Sequence, residues 1–204
     1  MKQNENNEQK ILYAAEQEFI EKGFAGAKTT AIAQRAGVNH AMIHYYFRTK
    51  EQLFNRLFEE KINLLTNNLY PPFLDKDLPL IERIKNGISS HFDFLAENPG
   101  LPRLVINEII SNPERLKFFR SKIKALADNL KNTLQTELNE LSEAKTINPI
   151  TANDLILDIV SMNLMVFIIY PLIDGILSDG REQFIEHRKQ ENINVILNRL
   201  NYKK

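Results

Sequence analysis

The chain has 204 residues, no cysteine and a formal net charge of zero, with 43% hydrophobic and 25% charged residues. This composition is typical of a soluble globular protein that has one compact body and an appended subdomain, and it excludes disulfides, thiolate metal sites and cysteine nucleophiles. Because the overall charge is zero, an anionic partner would have to be bound by a local patch of the surface.

Apolar residues recur at intervals of three and four through nearly the whole chain, and no segment alternates like a β-strand for long. The first helix is expected to end at Gly23, and two short helices are expected on either side of Ala36-Gly37-Val38. A longer helix is expected to open with a capping box formed by Thr49 and Gln52. The dipeptide Pro71-Pro72 is expected to end this longer helix.

Longer helices are predicted after Pro79, and their starts carry recognisable caps such as Asn112-Pro113. They are expected at about 81–97, briefly around 104–110, from 113 to about 141, from 151 to about 171, and after Asp179-Gly180. The sequence therefore predicts an all-α fold of about nine helices. The short N-terminal helices form a small unit, and the long helices form a larger body.

The most apolar segment, residues 155–173, has the length of a membrane span. It contains Asp158 and Asn163, and a charged residue near the centre of a bilayer costs about 3 kcal/mol on insertion scales. A helix buried inside the protein is therefore expected. The N-terminal stretch MKQNENNEQK lacks the apolar core of a signal peptide, so a cytoplasmic protein without membrane contact is predicted.

The short helix at residues 39–47 has two unlike faces. On a helical wheel, Ile43 and Phe47 share the face that points toward the small N-terminal core. The opposite face carries Ala41, Met42, His44 and Tyr45, with His40 at its flank. This helix therefore shows solvent a very small residue beside two imidazoles and a phenol, which indicates a binding surface.

Two short helices joined by a three-residue turn containing glycine form a helix-turn-helix motif, whose second helix lies in the DNA major groove. Gly37 permits the left-handed turn, and Asn39 is expected to cap the second helix. Ala41 would let that helix approach the bases closely. The residues predicted to contact DNA are Lys28, Thr29, Asn39, His40, Ala41, Met42, His44, Tyr45, Arg48 and Lys50.

The stretch GFAGAKTTAIAQRAGVNHAMIHYYFRTKEQLF, residues 23–54, resembles the N-terminal domain of the tetracycline repressor (TetR) family. The resemblance covers roughly residues 8–65 and depends on several fixed spacings, including the glycine turn, a Tyr-x-Phe motif and a Lys-Glu-x-Leu-Phe helix start. There are two departures. His44 stands where a tyrosine is common, and Ala27-Lys28 replaces the usual Ser/Thr before the second helix, so Thr29 is expected to cap that helix.

The resemblance implies a helix-turn-helix DNA-binding domain at residues 1–48, a connecting helix at 49–70 and a ligand-binding and dimerisation domain at 71–204. It also implies a homodimer formed through residues 151–174 and 181–201. Such a dimer would present two reading helices about 34–36 Å apart and bind a palindromic operator in double-stranded DNA. We expect a repressor in which a small molecule moves the helix that begins at Lys50 and so releases the DNA.

The residues predicted to bind this effector are aromatic or aliphatic, or are polar residues inside apolar runs. They are Phe92, Leu95, Asn107, Glu108, Phe119, Met162, Asn163 and Phe167. A buried polar group needs a hydrogen-bond partner, which a ligand, a neighbouring helix or a second subunit can supply. These residue types favour an apolar or amphipathic effector, but for any single apolar residue among them ordinary core packing is the better explanation.

Other functions have weaker support in the sequence. His40 and His44 have a spacing that can bind zinc, but Ala41 occupies the place of a zinc protease's glutamate and no third ligand is evident. Neither this pair nor His91 and His187 predicts a metal site. No catalytic constellation is present, so neither an enzyme nor a cofactor is expected. Two alternatives remain, a DNA-binding protein whose C-terminal domain docks a protein partner, and a helical module that binds a metal or lipid.

Overall fold

The computed structural model describes residues 2–176 and 180–201, and within them it contains nine α-helices and one π-helical segment. The helices are α1 (Lys2–Gly26), α2 (Thr29–Ala36), α3 (His40–Phe47), α4 (Lys50–Leu74), α5 (Leu80–Glu97), α6 (Leu101–Leu104), α7 (Pro113–Glu143), α8 (Ala152–Ile173) and α9 (Arg181–Leu200). The π-helical segment, Val105–Ile110, directly follows α6. The predicted all-α fold is confirmed. Asp179, expected to lead into the last helix, lies outside the described residues.

The chain forms two compact units. The first comprises the chain up to Leu64 together with Arg103–Lys122, and the second comprises Leu65–Pro102 and the chain from Ile123 onward. Helices α4 and α7 therefore each contribute residues to both units. The first unit contains more than the three expected N-terminal helices, and the functional boundaries after residues 48 and 70 stay a prediction.

The first unit is built around buried side chains from α1 to α4. Phe19 and Phe54 lie at its centre with ring centroids 5.1 Å apart, and Phe24 packs against both rings. Gly23 has φ 66° and ψ 171°, so the first helix breaks there as predicted, and one further turn follows. The other buried apolar residues of the first unit before residue 65 are Ile11, Leu12, Ala14, Ala15, Ala27, Ile32, Ala33, Ile43, Phe47, Leu53, Leu57, Phe58 and Ile62.

The second unit is a bundle of α5, the later part of α7, α8 and α9. Its largest apolar cluster brings together Ile84, Leu134, Leu155 and Ile196 from these four helices. A predicted cap begins one of its long helices. The Thr151 hydroxyl accepts a hydrogen bond from the Asp154 N–H at 3.1 Å before α8, while α9 follows Gly180 without a side-chain cap.

The expected break at Pro71-Pro72 is wrong, because α4 continues through both prolines to Leu74. Proline removes a backbone N–H and destabilises a helix interior, so tertiary contacts have to hold this last turn. The Phe73 ring fills the space beside Gly87 that a Cβ atom would need. The Phe73 carbonyl accepts a hydrogen bond from Arg83 Nη1 at 3.0 Å, and buried Arg83 also pairs with Glu137.

The expectation that α8 is a buried helix holds only in part within the single chain. Among the described residues, α8 is the one helix long and apolar enough to cross a membrane by length and composition alone, and only 22% of its most apolar window is buried. The exposed large apolar residues of α8 form a stripe at helical spacing. They are Leu157, Val160, Met165, Ile169 and Leu172.

Candidate functional site

Helix α3 is oriented as the helical wheel predicts. Ile43 and Phe47 anchor it to the core with 1% and 5% of their surface exposed. Ala41, His44 and Tyr45 are exposed on the opposite side, and Tyr45 has 73% of its surface in solvent. The apolar anchors hold the helix rigidly while its small and polar-tipped residues remain free to meet a partner.

The turn before α3 has the geometry that the sequence predicts. Gly37 adopts φ 66° and ψ 33°, a left-handed conformation that a residue with a Cβ atom occupies at a cost. The N–H groups of Gly37 and Val38 donate to the carbonyls of Gln34 and Ala33. The Asn39 side-chain oxygen then accepts a hydrogen bond from the Ala41 N–H at 2.9 Å, which confirms the predicted cap.

The prediction that Thr29 caps α2 is wrong. Thr29 is the first residue of α2, and the cap position is taken by Lys28, whose side chain makes no capping hydrogen bond. The Glu18 carboxylate instead accepts the Lys28 N–H at 3.5 Å. Thr29 Oγ1 lies 3.0 Å from His40 Nε2, so its hydroxyl links the first turns of the two helices of the motif.

His44 has one ring nitrogen committed to the protein. Its Nδ1 lies 3.1 Å from the carbonyl oxygen of Arg48, and since a carbonyl only accepts, Nδ1 carries the hydrogen. The Nε2 atom of the neutral ring is then an acceptor, which can take a hydrogen bond from a donor on a base edge. The His40 ring meets the His44 ring edge-on at 5.0 Å. Exposed Lys28 and Arg48 add positive charge near the ends of the motif.

Lys50 has an internal role. Its Nζ donates to the carbonyl oxygens of Phe24 at 2.8 Å and Ala27 at 2.9 Å, and it lies 4.6 Å from the Phe24 ring centroid. These bonds satisfy carbonyls at the end of the α1 segment that leads into α2. Contact of Lys50 with DNA stays a prediction.

Arg115, which the sequence gave no reason to single out, is the centre of a charged and aromatic cluster in the first unit. Its guanidinium forms two hydrogen bonds of 2.9 Å with the Glu51 carboxylate and one of 3.0 Å with Glu108 Oε2. It lies 3.7 Å from the Phe24 ring centroid and 4.5 Å from that of Phe54. The hydrogen bonds from Arg115 lower the pKa of Glu51 below its ordinary value, although partial burial opposes this effect.

The eight residues predicted to bind an effector are not all brought together. Asn107, Glu108 and Phe119 belong to the first unit, and the other five belong to the second. Phe92 and Phe167 pack with centroids 5.1 Å apart, and Leu95 lies in the same apolar cluster. Met162 packs against the larger cluster of the second unit. Phe167 also lines an open cleft of about 310 Å³ with Tyr170 and Arg181.

Asn163 receives its partners from the protein itself. Its amide nitrogen donates to the Ile88 carbonyl at 3.0 Å and to His91 Nδ1 at 3.2 Å, and its oxygen accepts from Asn192 at 2.9 Å. Arg188 completes the network by donating to the Asn192 oxygen. Burial lowers the pKa of His91 to about 4, so His91 is neutral at pH 7. Asn163 was visible in the sequence as a polar residue in an apolar run, whereas the helical pattern does not distinguish His91 and Asn192 from surface residues.

Residues 2–176 and 180–201 contain no group of three or more His, Asp or Glu residues placed to hold a metal ion. The predicted absence of a metal or cofactor stays a prediction.

Comparison with known proteins links this geometry to a regulatory family. The family model described as bacterial regulatory proteins, tetR family, matches residues 11–57. The fatty acid metabolism regulator protein of Bacillus subtilis (strain 168) is 28% identical over 140 residues, which span 69% of this chain and 70% of that protein. The nucleoid occlusion factor SlmA of Vibrio cholerae serotype O1 is 28% identical over 152 residues, 72% of this chain and 75% of that protein.

A solved structure extends the similarity to the whole fold. The transcriptional regulator FadR from Bacillus subtilis in complex with stearoyl-CoA superimposes with a TM-score of 0.70 at 22% identity, covering 94% of this chain and 98% of that chain. The curated relatives are matched over 48 to 75% of their own length. Because its identity to this chain is only 22%, the similarity to the solved structure concerns the fold alone.

Proposed function

Because this chain belongs to the TetR family of bacterial transcriptional regulators, we propose that it is a repressor that binds a palindromic operator as a homodimer and is released by a small molecule. The observation that carries the proposal is the exposed face of α3. We propose no enzymatic activity, since the relatives include a fatty acid metabolism regulator and HTH-type transcriptional regulators. We propose a cytoplasmic location, where operator DNA is found.

The α3 face supports DNA binding through both shape and chemistry. Exposed Ala41 leaves space for a base edge, and its methyl group can contact a thymine methyl. Tyr45 and His44 lie beside it. The Tyr45 hydroxyl can donate to a phosphate, and His44 Nε2 can accept from an amino group on a base edge. Asn39 leaves the first N–H groups of α3 close to where a phosphate would sit.

The apolar stripe of α8 supports dimer formation. Leu157 and Leu172 are 65% and 74% exposed, and Val195 of α9 is 47% exposed. Exposed apolar surface on this scale is costly in water and marks an interaction site. A second copy of the chain would cover it through residues 151–174 and 181–201, and a two-fold dimer places two reading helices in successive major grooves.

The effector is proposed to be apolar or amphipathic, with a long-chain acyl-CoA as the first compound to test. The Bacillus relative regulates fatty acid metabolism by its name, and a structural neighbour is in complex with stearoyl-CoA. In this chain, Phe92, Leu95 and Phe167 form an apolar cluster, and the cleft at Phe167 is bordered by Arg181. An acyl chain fits apolar side chains, and an arginine fits a phosphate group.

As a second candidate function, the second unit would bind a protein partner instead of a small molecule. The predicted lining residues Phe92 and Phe167 pack against each other, and the cleft at Phe167 is open. The nucleoid occlusion factor relative is matched over three quarters of its length. In this candidate function, α3 still reads DNA, and the long helices of the second unit dock another protein.

Selection from a pool of random duplex DNA tests the proposed function. Purified protein is incubated with the pool at about physiological salt, because affinity for DNA falls steeply as salt rises. Enrichment of a palindrome is the expected result. The complex of the protein with the enriched DNA is then titrated with stearoyl-CoA, which is expected to release the protein from the DNA. A folded dimer that enriches no sequence would contradict the proposal, and release by no acyl-CoA would favour the protein partner.

A further inference from the structure

We propose that Glu108 and Arg115 are positioning residues for DNA recognition, which fix Phe24 and through it the start of α2. They lie more than 80 residues along the chain from Phe24, outside the helix-turn-helix motif, yet in the same compact unit. The inference rests on the proposed DNA-binding function and names residues that control it.

Phe24 is held at all three of its groups. Its N–H donates to Glu108 Oε1 at 2.8 Å, its carbonyl accepts from Lys50 Nζ at 2.8 Å, and its ring lies 3.7 Å beneath the Arg115 guanidinium. Phe24 directly follows the backbone break at Gly23, so without these contacts the helical hydrogen bonds of α1 would not fix its position. The cluster therefore sets where the chain leaves α1.

The chain between Phe24 and α2 is short, so the position of Phe24 is transmitted to the motif. Only four residues separate Phe24 from Thr29, and the Ala27 carbonyl is tied to Lys50 together with that of Phe24. Thr29 in turn contacts His40 at the start of α3 at 3.0 Å. A displacement of Phe24 thus reaches the first turns of both helices that are proposed to meet DNA.

Glu108 divides its carboxylate between two partners. Oε1 accepts the Phe24 N–H, and Oε2 accepts from Arg115 Nη1 at 3.0 Å. This residue belongs to the π-helical segment Val105–Ile110, a rare conformation that is frequent at functional sites. A Cβ atom at residue 23 would lie 2.9 Å from Glu108 Oε1, so Gly23 also leaves the carboxylate room to reach the backbone.

Arg115 is 6% exposed and is paired with two carboxylates, those of Glu51 and Glu108. A buried cation with a complete set of partners favours one arrangement of the surrounding groups, because alternatives leave charges unpaired. A role limited to stability and a positioning role make different predictions. Loss of stability lowers the amount of active protein equally for all DNA, whereas loss of position lowers preference for the operator over other DNA.

The test compares R115M and E108L with E108Q and with the control R120M. The amide oxygen of E108Q can still accept the Phe24 N–H, and Arg120 is an exposed residue on the same helix as Arg115. The probes are the duplex enriched by the wild-type protein from the random pool and a scrambled duplex of equal length and composition. Fluorescence anisotropy at one salt concentration gives the ratio of the two affinities.

We expect this ratio to fall about tenfold in R115M and E108L, because displaced α2 and α3 would lose operator contacts worth about one or two hydrogen bonds. The ratio in E108Q is expected to stay closer to that of the wild type, and that of R120M to be unchanged. Hydrogen exchange at the Phe24 amide should accelerate in E108L and remain slow in R120M. E51Q, which alters a mostly exposed partner of Arg115, provides a milder variant if R115M does not fold.

An unchanged affinity ratio in folded E108L and in R115M or E51Q would overturn the inference while leaving the proposed function intact. If the wild-type protein enriches no sequence from the pool, the proposed function itself fails, and the inference that depends on it fails too. A fall in the ratio with slow exchange retained at the Phe24 amide would also overturn it, because Glu108 would then not act through Phe24.

Discussion

Buried His91 makes the stability of this protein depend on pH. Its pKa lies near 4 in the folded chain, compared with an ordinary value of 6.5, because burial disfavours the charged imidazole. Below pH 6.5 the unfolded chain therefore binds more protons at this site than the folded chain. Stability consequently falls as the pH decreases from about 6.5 to about 4.

The size of this effect follows from the two pKa values. Linkage gives a loss of about 2 kcal/mol in the free energy of unfolding between pH 7.5 and pH 5, and of about 3 kcal/mol by pH 4. His91 Nδ1 accepts a hydrogen bond from Asn163, so H91N retains an acceptor near that place but cannot titrate. The control is H187N, which removes an exposed histidine of α9.

Urea unfolding at a fixed protein concentration measures the effect, since the stability of a dimer depends on concentration. Other groups titrate in the same range, so the informative quantity is the difference in pH dependence between variants. We expect the wild-type protein and H187N to lose about 2 kcal/mol more than H91N between pH 7.5 and pH 5. Parallel curves for the wild-type protein and H91N would refute the assignment of a neutral, buried His91.

Three further predictions concern other parts of the molecule. A41L should weaken binding to the enriched duplex at least about tenfold without changing the melting temperature, because a larger side chain keeps α3 away from the bases; anisotropy and thermal unfolding check both. L172R should convert the dimer to a folded monomer, seen by light scattering and circular dichroism, and a persistent dimer would place the interface elsewhere. G87A should cost about 1–3 kcal/mol in urea unfolding, because the new methyl group overlaps the Phe73 ring, and an unchanged stability would contradict that packing.

The sequence predicted the helix-turn-helix motif well because local chemistry determines it. Gly37 is required by a left-handed turn, Asn39 caps α3 through its own side chain, and Ile43 and Phe47 have to share the buried face. Each of these requirements involves residues within a few positions of one another. Along the rest of the chain, the helical period and the caps are also local signals, and they predict where the helices lie.

The failures arise where distant residues decide the structure. Pro71 and Pro72 are helix breakers by local rules, but the contacts of Phe73 with Gly87 and Arg83 hold the last turn of α4. Local sequence rules do not predict such contacts. The partner of α8 is undetermined for a related reason, since an apolar sequence indicates that a helix needs cover but does not say which molecule supplies it.

Glu108 is a further residue whose partners are distant in the sequence and could not be predicted from it. Its place in the apolar run LVINEII marked it as a polar residue in need of partners, and a ligand was one possible source. The structure supplies two partners, the Phe24 N–H and Arg115, both from the first unit. The need for a partner was readable from the sequence, but the identity of the partner required the fold.

The central claim is that the exposed face of α3 reads DNA, and a crystal structure of the protein with its enriched duplex tests it most directly. We predict one α3 from each protomer in successive major grooves, about 34–36 Å apart, with Ala41 against a base edge and His44 and Tyr45 within hydrogen-bonding distance of the duplex. A complex in which α3 lies away from the DNA, or in which the duplex contacts the long helices instead, would contradict it.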